Sequence, residues 1–128
     1  MTVVLDSSVI VAALLQEPGG DQVADFMGEG LISTVNVAEV YAIFTRRNLS
    51  KATLATFLGY RGIEIVPLSL AVAEATGRMV AITASAGLSR GDRACLALGI
   101  SRRATILTAD RAWLQFAEPL GLEIKIIR

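Results

Sequence analysis

The sequence predicts an α/β protein: a three-layer α/β/α sandwich around a mostly parallel sheet of about five strands, built as one domain over residues 1–128. Three observations predict it. Short β-branched apolar runs recur along the chain, and stretches of helical character separate them, so successive strands need the crossover connections of a parallel sheet. The length suits one hydrophobic core. No internal repeat, low-complexity segment or Pro/Ser-rich linker interrupts the pattern.

Residues 2–5 form a short apolar run that ends at an acid and two serines, and read as a buried strand. Residues 9–15 read as a helix closed by Pro18, Gly19 and Gly20, and an amphipathic stretch covers 21–28. A brief strand at 31–32 precedes a long helix over 35–47. Ser50 is an N-cap candidate for a helix over 50–62. Residues 63–66 are a strand closed by Pro67, and a small-residue helix follows over 70–85. A helix over 89–100, a strand at 105–107, a helix over 112–117 and a strand at 123–127 complete the order.

Composition excludes several chemistries. There is no histidine, so Ser-His-Asp and Cys-His nucleophile systems are absent, as are the His-rich sites usual for catalytic zinc. The single Cys95 forms neither an intrachain disulfide nor a thiolate cluster, which fits a reducing compartment. The longest apolar run, 9–15, is far short of the roughly 20 residues a spanning helix needs. Asp6 breaks up any secretory leader, and a cytoplasmic protein is expected. The 53% hydrophobic content lies above the usual range of about 45–50%, leaving apolar surface for a partner.

Three aspartates stand where an open parallel sheet binds ligands, outside the carboxyl ends of strands. Asp6 ends the first strand, Asp110 follows the strand before it, and Asp92 opens a helix after the turn at Leu88 and Ser89. Each also reads as a cap: Asp6 and its serines at a helix start, Ser89 to Asp92 as a capping box, Asp110 as an N-cap. Glu39 is the only charge in residues 35–44, with Val35, Asn36, Ala42 and Ile43 as its helical neighbours. A buried carboxylate needs a partner; alternatively Asn36, Glu39 and Arg46 or Arg47 form a solvated stripe. Four acids at one sheet edge repel one another unless a cation neutralises them. Mg²⁺ and Mn²⁺ prefer carboxylate oxygens and water, and such sites activate water and clamp phosphate.

With these four acids set aside, twelve basic residues face eight acidic ones, a remainder of +4. Arg46, Arg47, Arg90, Arg93, Arg102, Arg103 and Arg111 lie near the candidate elements or at helix ends. The planar arginine fork suits phosphate, although a solvated surface role accounts for any one of them.

Four segments carry a family resemblance: VLDSSVI at 4–10, STVNVAE at 33–39 followed by Val40 and Tyr41, LSRGDRACLAL at 88–98, and ILTADRAW at 106–113. They resemble, in order and across nearly the whole chain, the motifs of the PIN-domain nucleases, most closely the VapC-type toxins of bacterial toxin-antitoxin pairs. The resemblance implies a PIN-like α/β/α domain and a metal-dependent endoribonuclease site. By motif, Asp6, Glu39, Asp92 and Asp110 are the implied catalytic and metal-binding acids, with Ser7 and Thr108 as supporting hydroxyls and Ser8 as a helix cap. Arg93 and Arg111 are candidates for substrate binding. One or two Mg²⁺ or Mn²⁺ ions, in-line attack of metal-activated water on RNA, a homodimer and a small antitoxin that wraps the site complete the expectation. The segments around 40–44 and 54–60 are either interface anchors or core, and Trp113 is either a stacking platform or core.

Three other readings compete. A haloacid-dehalogenase-like phosphohydrolase wants a second Asp two positions after the first, where Ser8 stands, and a placed lysine, of which the chain has only Lys51 and Lys125. A receiver module wants paired acids at its strand ends, which are lacking. A catalytically silent PIN-like binding module is the reading without an enzyme.

Overall fold

The computed structural model describes residues 2–26, 28–60 and 62–128, without the Tyr60 side chain, so Tyr60 as an anchor lies outside the described residues. Five strands, β1 (Val3–Leu5), β2 (Gly30–Ser33), β3 (Glu64–Val66), β4 (Thr105–Thr108) and β5 (Ile124–Ile126), form one sheet in the order β3-β2-β1-β4-β5. Every pairing is parallel, more uniform than the mostly parallel sheet expected. The order steps outward in both directions from the β1/β4 pair, which makes that pair the topological switch point.

Alternation along the strands divides the core in two. Val3 and Leu5 of β1, Ile32 of β2 and Leu107 of β4 face α1 (Ser7–Leu14), α2 (Thr34–Arg46) and α3 (Lys51–Tyr60), where Phe44 and Leu54 close the layer. Val4, Leu31 and Ile106 point to the opposite face, toward α6 (Arg90–Arg102), Met79, Trp113 and Phe116. These faces are the outer layers expected from the sequence. Val40, Phe44, Leu54 and Leu58 are buried core residues, as is Trp113, so none of them is a free anchor or stacking platform.

Several elements differ from expectation. The helix expected over 70–85 is α4 (Leu70–Arg78), α5 (Val80–Thr83) and a 3-10 turn at Ala84–Ala86. Thr76 and Thr83 turn their hydroxyls back onto the carbonyls of Val72 and Met79, and Gly77 adds little helical preference, so the run breaks. The stretch expected at 21–28 is a 3-10 helix, Gly20–Phe26, which starts with the tight bond of the Gly20 N–H to the Glu17 carbonyl (3.0 Å). The helix expected over 112–117 is a 3-10 helix, Arg111–Phe116, followed by α7 (Ala117–Leu120). Pro119 has no N–H to reach back to Gln115, so one continuous α-helix is not available. Ser50 does cap α3, its hydroxyl accepting from the Thr53 N–H (3.2 Å).

The fully buried indole gives a direct test of the second layer. Trp113→Ala is expected to destabilise the protein by about 3–5 kcal/mol in urea unfolding. The unsubstituted protein should show blue-shifted fluorescence from this sole tryptophan, resistant to iodide quenching; red-shifted, readily quenched emission would contradict the packing.

Candidate functional site

Parallel pairing of β1 with β4 sets Leu5 against Leu107, and the Asp6 N–H donates to the Leu107 carbonyl (3.0 Å). Asp6 and Thr108 therefore leave the sheet side by side at the switch point. Asp6 occupies the N-cap position of α1, but its carboxylate caps nothing. Instead Oδ2 accepts from Ser8 Oγ (2.6 Å) and Thr108 Oγ1 (3.0 Å), and Oδ1 faces Ser7 Oγ at 3.5 Å. Ser8 is thus no helix cap. Its hydroxyl joins Asp6 to the far side of the switch point by also accepting the Ala109 N–H (3.0 Å).

Glu39 comes from the second turn of α2, whose start is fixed by the Ser33 hydroxyl accepting from the Val35 N–H. Its Oε1 accepts from Ser7 Oγ (3.1 Å) and from Asn36 Nδ2 (2.9 Å). Asn36 is fully buried and also donates to the Gly91 carbonyl (3.1 Å), so it fastens α2 to the start of α6. The solvated stripe is therefore not what forms: Asn36 and Glu39 turn inward while Arg46 and Arg47 stay exposed. Asn36 and Ser8 join the site, where the sequence offered a solvated stripe for the first and a helix cap for the second. The signal for Asn36 was present, since it precedes Glu39 by one helical turn.

Asp92 enters at the start of α6 in a full capping box: Oδ2 accepts the Ser89 N–H (2.8 Å) and Ser89 Oγ accepts the Asp92 N–H (3.1 Å). Asp110 also caps, Oδ1 accepting the Ala112 N–H (3.0 Å), and its own N–H donates to Thr108 Oγ1 (3.1 Å). For these two acids the cap and the site coincide, because both caps open onto one cleft. That cleft, about 680 Å³, is lined by Asp6, Ser7, Ser8, Asp92 and Asp110, with Glu39 behind Ser7. Arg111 lies on it as well. Arg93 does not: its Nε donates to the buried Thr83 hydroxyl (2.8 Å), and with Arg90 it lines a separate groove between α4 and α6.

Burial pushes the Asp6 carboxyl up to about 6; the hydroxyls of Ser8 and Thr108 counter this, and the charges of Asp92 and Glu39 add to it. Among the described residues no three acidic side chains stand close enough to enclose an ion by themselves. The donor chemistry nonetheless fits a hard divalent cation. Asp6, Ser7, Ser8, Asp92 and Asp110 offer the cleft carboxylate and hydroxyl oxygens, a positive charge relieves the repulsion around Asp6, and ions such as Mg²⁺ keep part of their water shell.

These features define a class: a parallel α/β domain with an acidic cleft at its switch point. Residues 3–119 match the PIN domain family, and the chain belongs to it. The fold resembles a chain of VapBC2 from Rickettsia felis, crystallised bound to a DNA fragment from their promoter, with a TM-score of 0.74 and 20% identity over 98% of each chain. It also resembles a chain of DNA-bound VapBC from Salmonella typhimurium (TM-score 0.72, 19% identity, 100% of this chain and 99% of that one). A chain of a toxin-antitoxin complex from Klebsiella pneumoniae is similar too (TM-score 0.71, 17% identity, 99% and 98%). At such identities the likeness establishes the fold. No curated protein matches the sequence.

Two outcomes follow from the geometry. A side chain at Gly91 would overlap the Glu39 carboxylate, so Gly91→Ala should displace Glu39 and weaken Mn²⁺ binding at least about tenfold by calorimetry, with far-UV circular dichroism unchanged. Unchanged Mn²⁺ affinity would show that the Glu39 position is immaterial. The second concerns pH. Because folding raises the Asp6 pKa, its favourable contribution is complete below the unfolded value of 3.8 and is lost as pH rises through about 6. Asp6→Asn should therefore stabilise the metal-free protein by up to about 3 kcal/mol above pH 7, and the advantage should vanish below pH 4. Equal stability at both pH values, measured in EDTA, would refute the buried charge.

Proposed function

We propose that this protein is a metal-dependent endoribonuclease, the toxin of a toxin-antitoxin pair, which hydrolyses RNA phosphodiesters in the cleft beside Asp6. The observation that carries the reading is the buried Asp6 carboxylate, held by Ser8 and Thr108 and facing the charges of Glu39 and Asp92. Such an arrangement is costly for folding and is repaid by binding a cation. We assign the ion as Mg²⁺ or Mn²⁺, one or two per site, held by Asp6, Glu39, Asp92 and Asp110. When bound, it supplies an acidified water and neutralises charge on the phosphate.

The chain's own residues do the rest. Ser8 and Thr108 fix the Asp6 carboxylate so that one orientation faces the cleft. Ser7 and Asn36 hold Glu39 from two sides, which keeps its carboxylate against α6 instead of in solvent. Asp110 is exposed and already engaged as a cap, so its part is to place the β4 end and to contribute charge at the rim. No histidine is required as a base under this scheme.

The VapBC and toxin-antitoxin structures that share the fold support a small cognate antitoxin as partner. We further propose a homodimer, supported by exposed large apolar side chains at Leu70, Val80 and Ile82, and a cytoplasmic location. Among the described residues no helix is long and apolar enough to cross a membrane. The phosphohydrolase reading loses ground because neither Lys51 nor Lys125 lines the cleft and Ser8, where a second Asp is wanted, is bonded to Asp6.

The purified protein should cut single-stranded RNA in Mg²⁺ or Mn²⁺ and stop in EDTA. Asp6→Asn, Glu39→Gln and Asp92→Asn should each lose at least about 100-fold in rate, whereas Asp110→Asn should be the best tolerated, since an amide keeps the cap. Full activity in EDTA or in all three variants would overturn the assignment, and hydrolysis of small phosphate esters without RNA cleavage would favour the phosphohydrolase. Absence of divalent binding with partner binding intact would identify a silent module, and light scattering of the same sample reads its oligomeric state.

A further inference from the structure

The acids of the cleft raise a problem for an anionic substrate. RNA carries a charge at every phosphate, and a floor of carboxylates repels it except at the one phosphate a metal ion can bridge. The same cleft also carries Arg47, Arg111 and Arg128.

Two of these are held in place. The Ile127 N–H donates to the Thr108 carbonyl (3.0 Å), and Gln22 Nε2 donates to the Ile127 carbonyl (2.6 Å). Gly19, at φ +84°, lies so close to that carbonyl that no Cβ would fit. This pins residue 127 beside the end of β4, and Arg128 follows at the cleft. Arg111 Nη2 then donates to the Arg128 main-chain oxygen (2.6 Å), while Arg128 Nη2 pairs with Glu17 Oε1 (3.3 Å). A guanidinium has five N–H donors, so each of these single contacts orients the fork and leaves donors for phosphate. The Glu17 pair is partly exposed and thus weak, easily exchanged for a phosphate. Arg47 stands at the end of α2, exposed, on the same cleft.

Building on the nuclease reading, we propose that Arg47, Arg111 and Arg128 form a phosphate-binding rim that draws single-stranded RNA across the acids by its backbone, and that Glu17 competes with RNA for Arg128. Among the described residues, none that lines the cleft is aromatic. Attraction by the rim is therefore electrostatic and steeply salt-dependent.

The test is fluorescence anisotropy of a labelled single-stranded RNA oligonucleotide in EDTA, titrated with the full chain over a range of salt. Arg47→Ala, Arg111→Ala and Arg128→Ala should each weaken binding roughly three- to tenfold and flatten the slope of log Kd against log salt by about 0.7. Arg78→Ala removes the same charge on α4, where Arg78 pairs with Glu74, and should change Kd by less than about twofold. Glu17→Gln should tighten binding. Equal weakening by the rim variants and Arg78→Ala, or no weakening by any, overturns the rim. Cleavage by the unsubstituted protein in Mn²⁺ separates the two ideas: RNA cut normally with rim variants binding normally removes the rim and leaves the nuclease, whereas no binding and no cutting of RNA removes both.

Discussion

A carboxylate buried at the meeting point of β1 and β4 is the constraint around which the rest of this structure is arranged. Leaving Asp6 ionised among apolar neighbours is unfavourable, and Asp92 and Glu39 make it more so. The fold responds with hydroxyls. Ser8 and Thr108 donate to one oxygen, Ser7 faces the other, and the Ala109 and Asp110 N–H groups are taken up by the same two hydroxyls that hold Asp6. A sheet whose strand order reverses at this pair exposes both strand ends to one crevice, so the unfavourable charge is also an accessible one. Stability forgone at Asp6 is thus coupled to the place where a cation can recover it.

The remaining acids reach that crevice because helix starts point into it. Asp92 and Asp110 satisfy main-chain N–H groups of their own turns and add charge to the cleft in the same act. Glu39 arrives differently, from inside a helix, and needs room as well as partners. Asn36 gives it a donor and ties α2 to α6, while the missing side chain at Gly91 provides the space. Backbone proximity between α2 and α6 is therefore a condition of the site, which explains a glycine in the first turn of a helix, where it otherwise weakens the helix.

Much of this was legible in the sequence. Short apolar runs alternating with helical stretches pointed to the parallel sheet, and three acids at strand ends and helix starts, with Glu39 alone among apolar helical neighbours, pointed to the candidate crevice. Less legible was anything that depends on two distant segments meeting. Ser8 reads locally as a cap, and only the approach of residue 109, a hundred positions away, turns its hydroxyl into a bridge. Asn36 reads locally as the polar edge of a helix until Gly91 comes against it. Arg93 sits beside an acid in sequence but turns to Thr83, because successive helical positions face different directions. The break at Met79 and the 3-10 segments escaped for a different reason: hydroxyl back-bonding and a single Pro119 outweigh apolar periodicity over such short spans.

Zero net charge would ordinarily count against affinity for a polyanion. What matters here is how the charges are partitioned. The acids are drawn to the switch point by hydroxyls and main-chain N–H groups, which fixes where negative charge lies, while Arg111 and Arg128 on the same cleft each make a single side-chain contact that leaves donors free. Such a cleft repels a phosphate at its floor and attracts it at its edge. A cation bound at the floor reverses the first of these effects without altering the second. On the proposed metal-dependent reading, selectivity for a metal-loaded state needs no moving part: a phosphodiester sits over the acids favourably once the carboxylates have been neutralised, while the arginines of the same cleft attract it in either state.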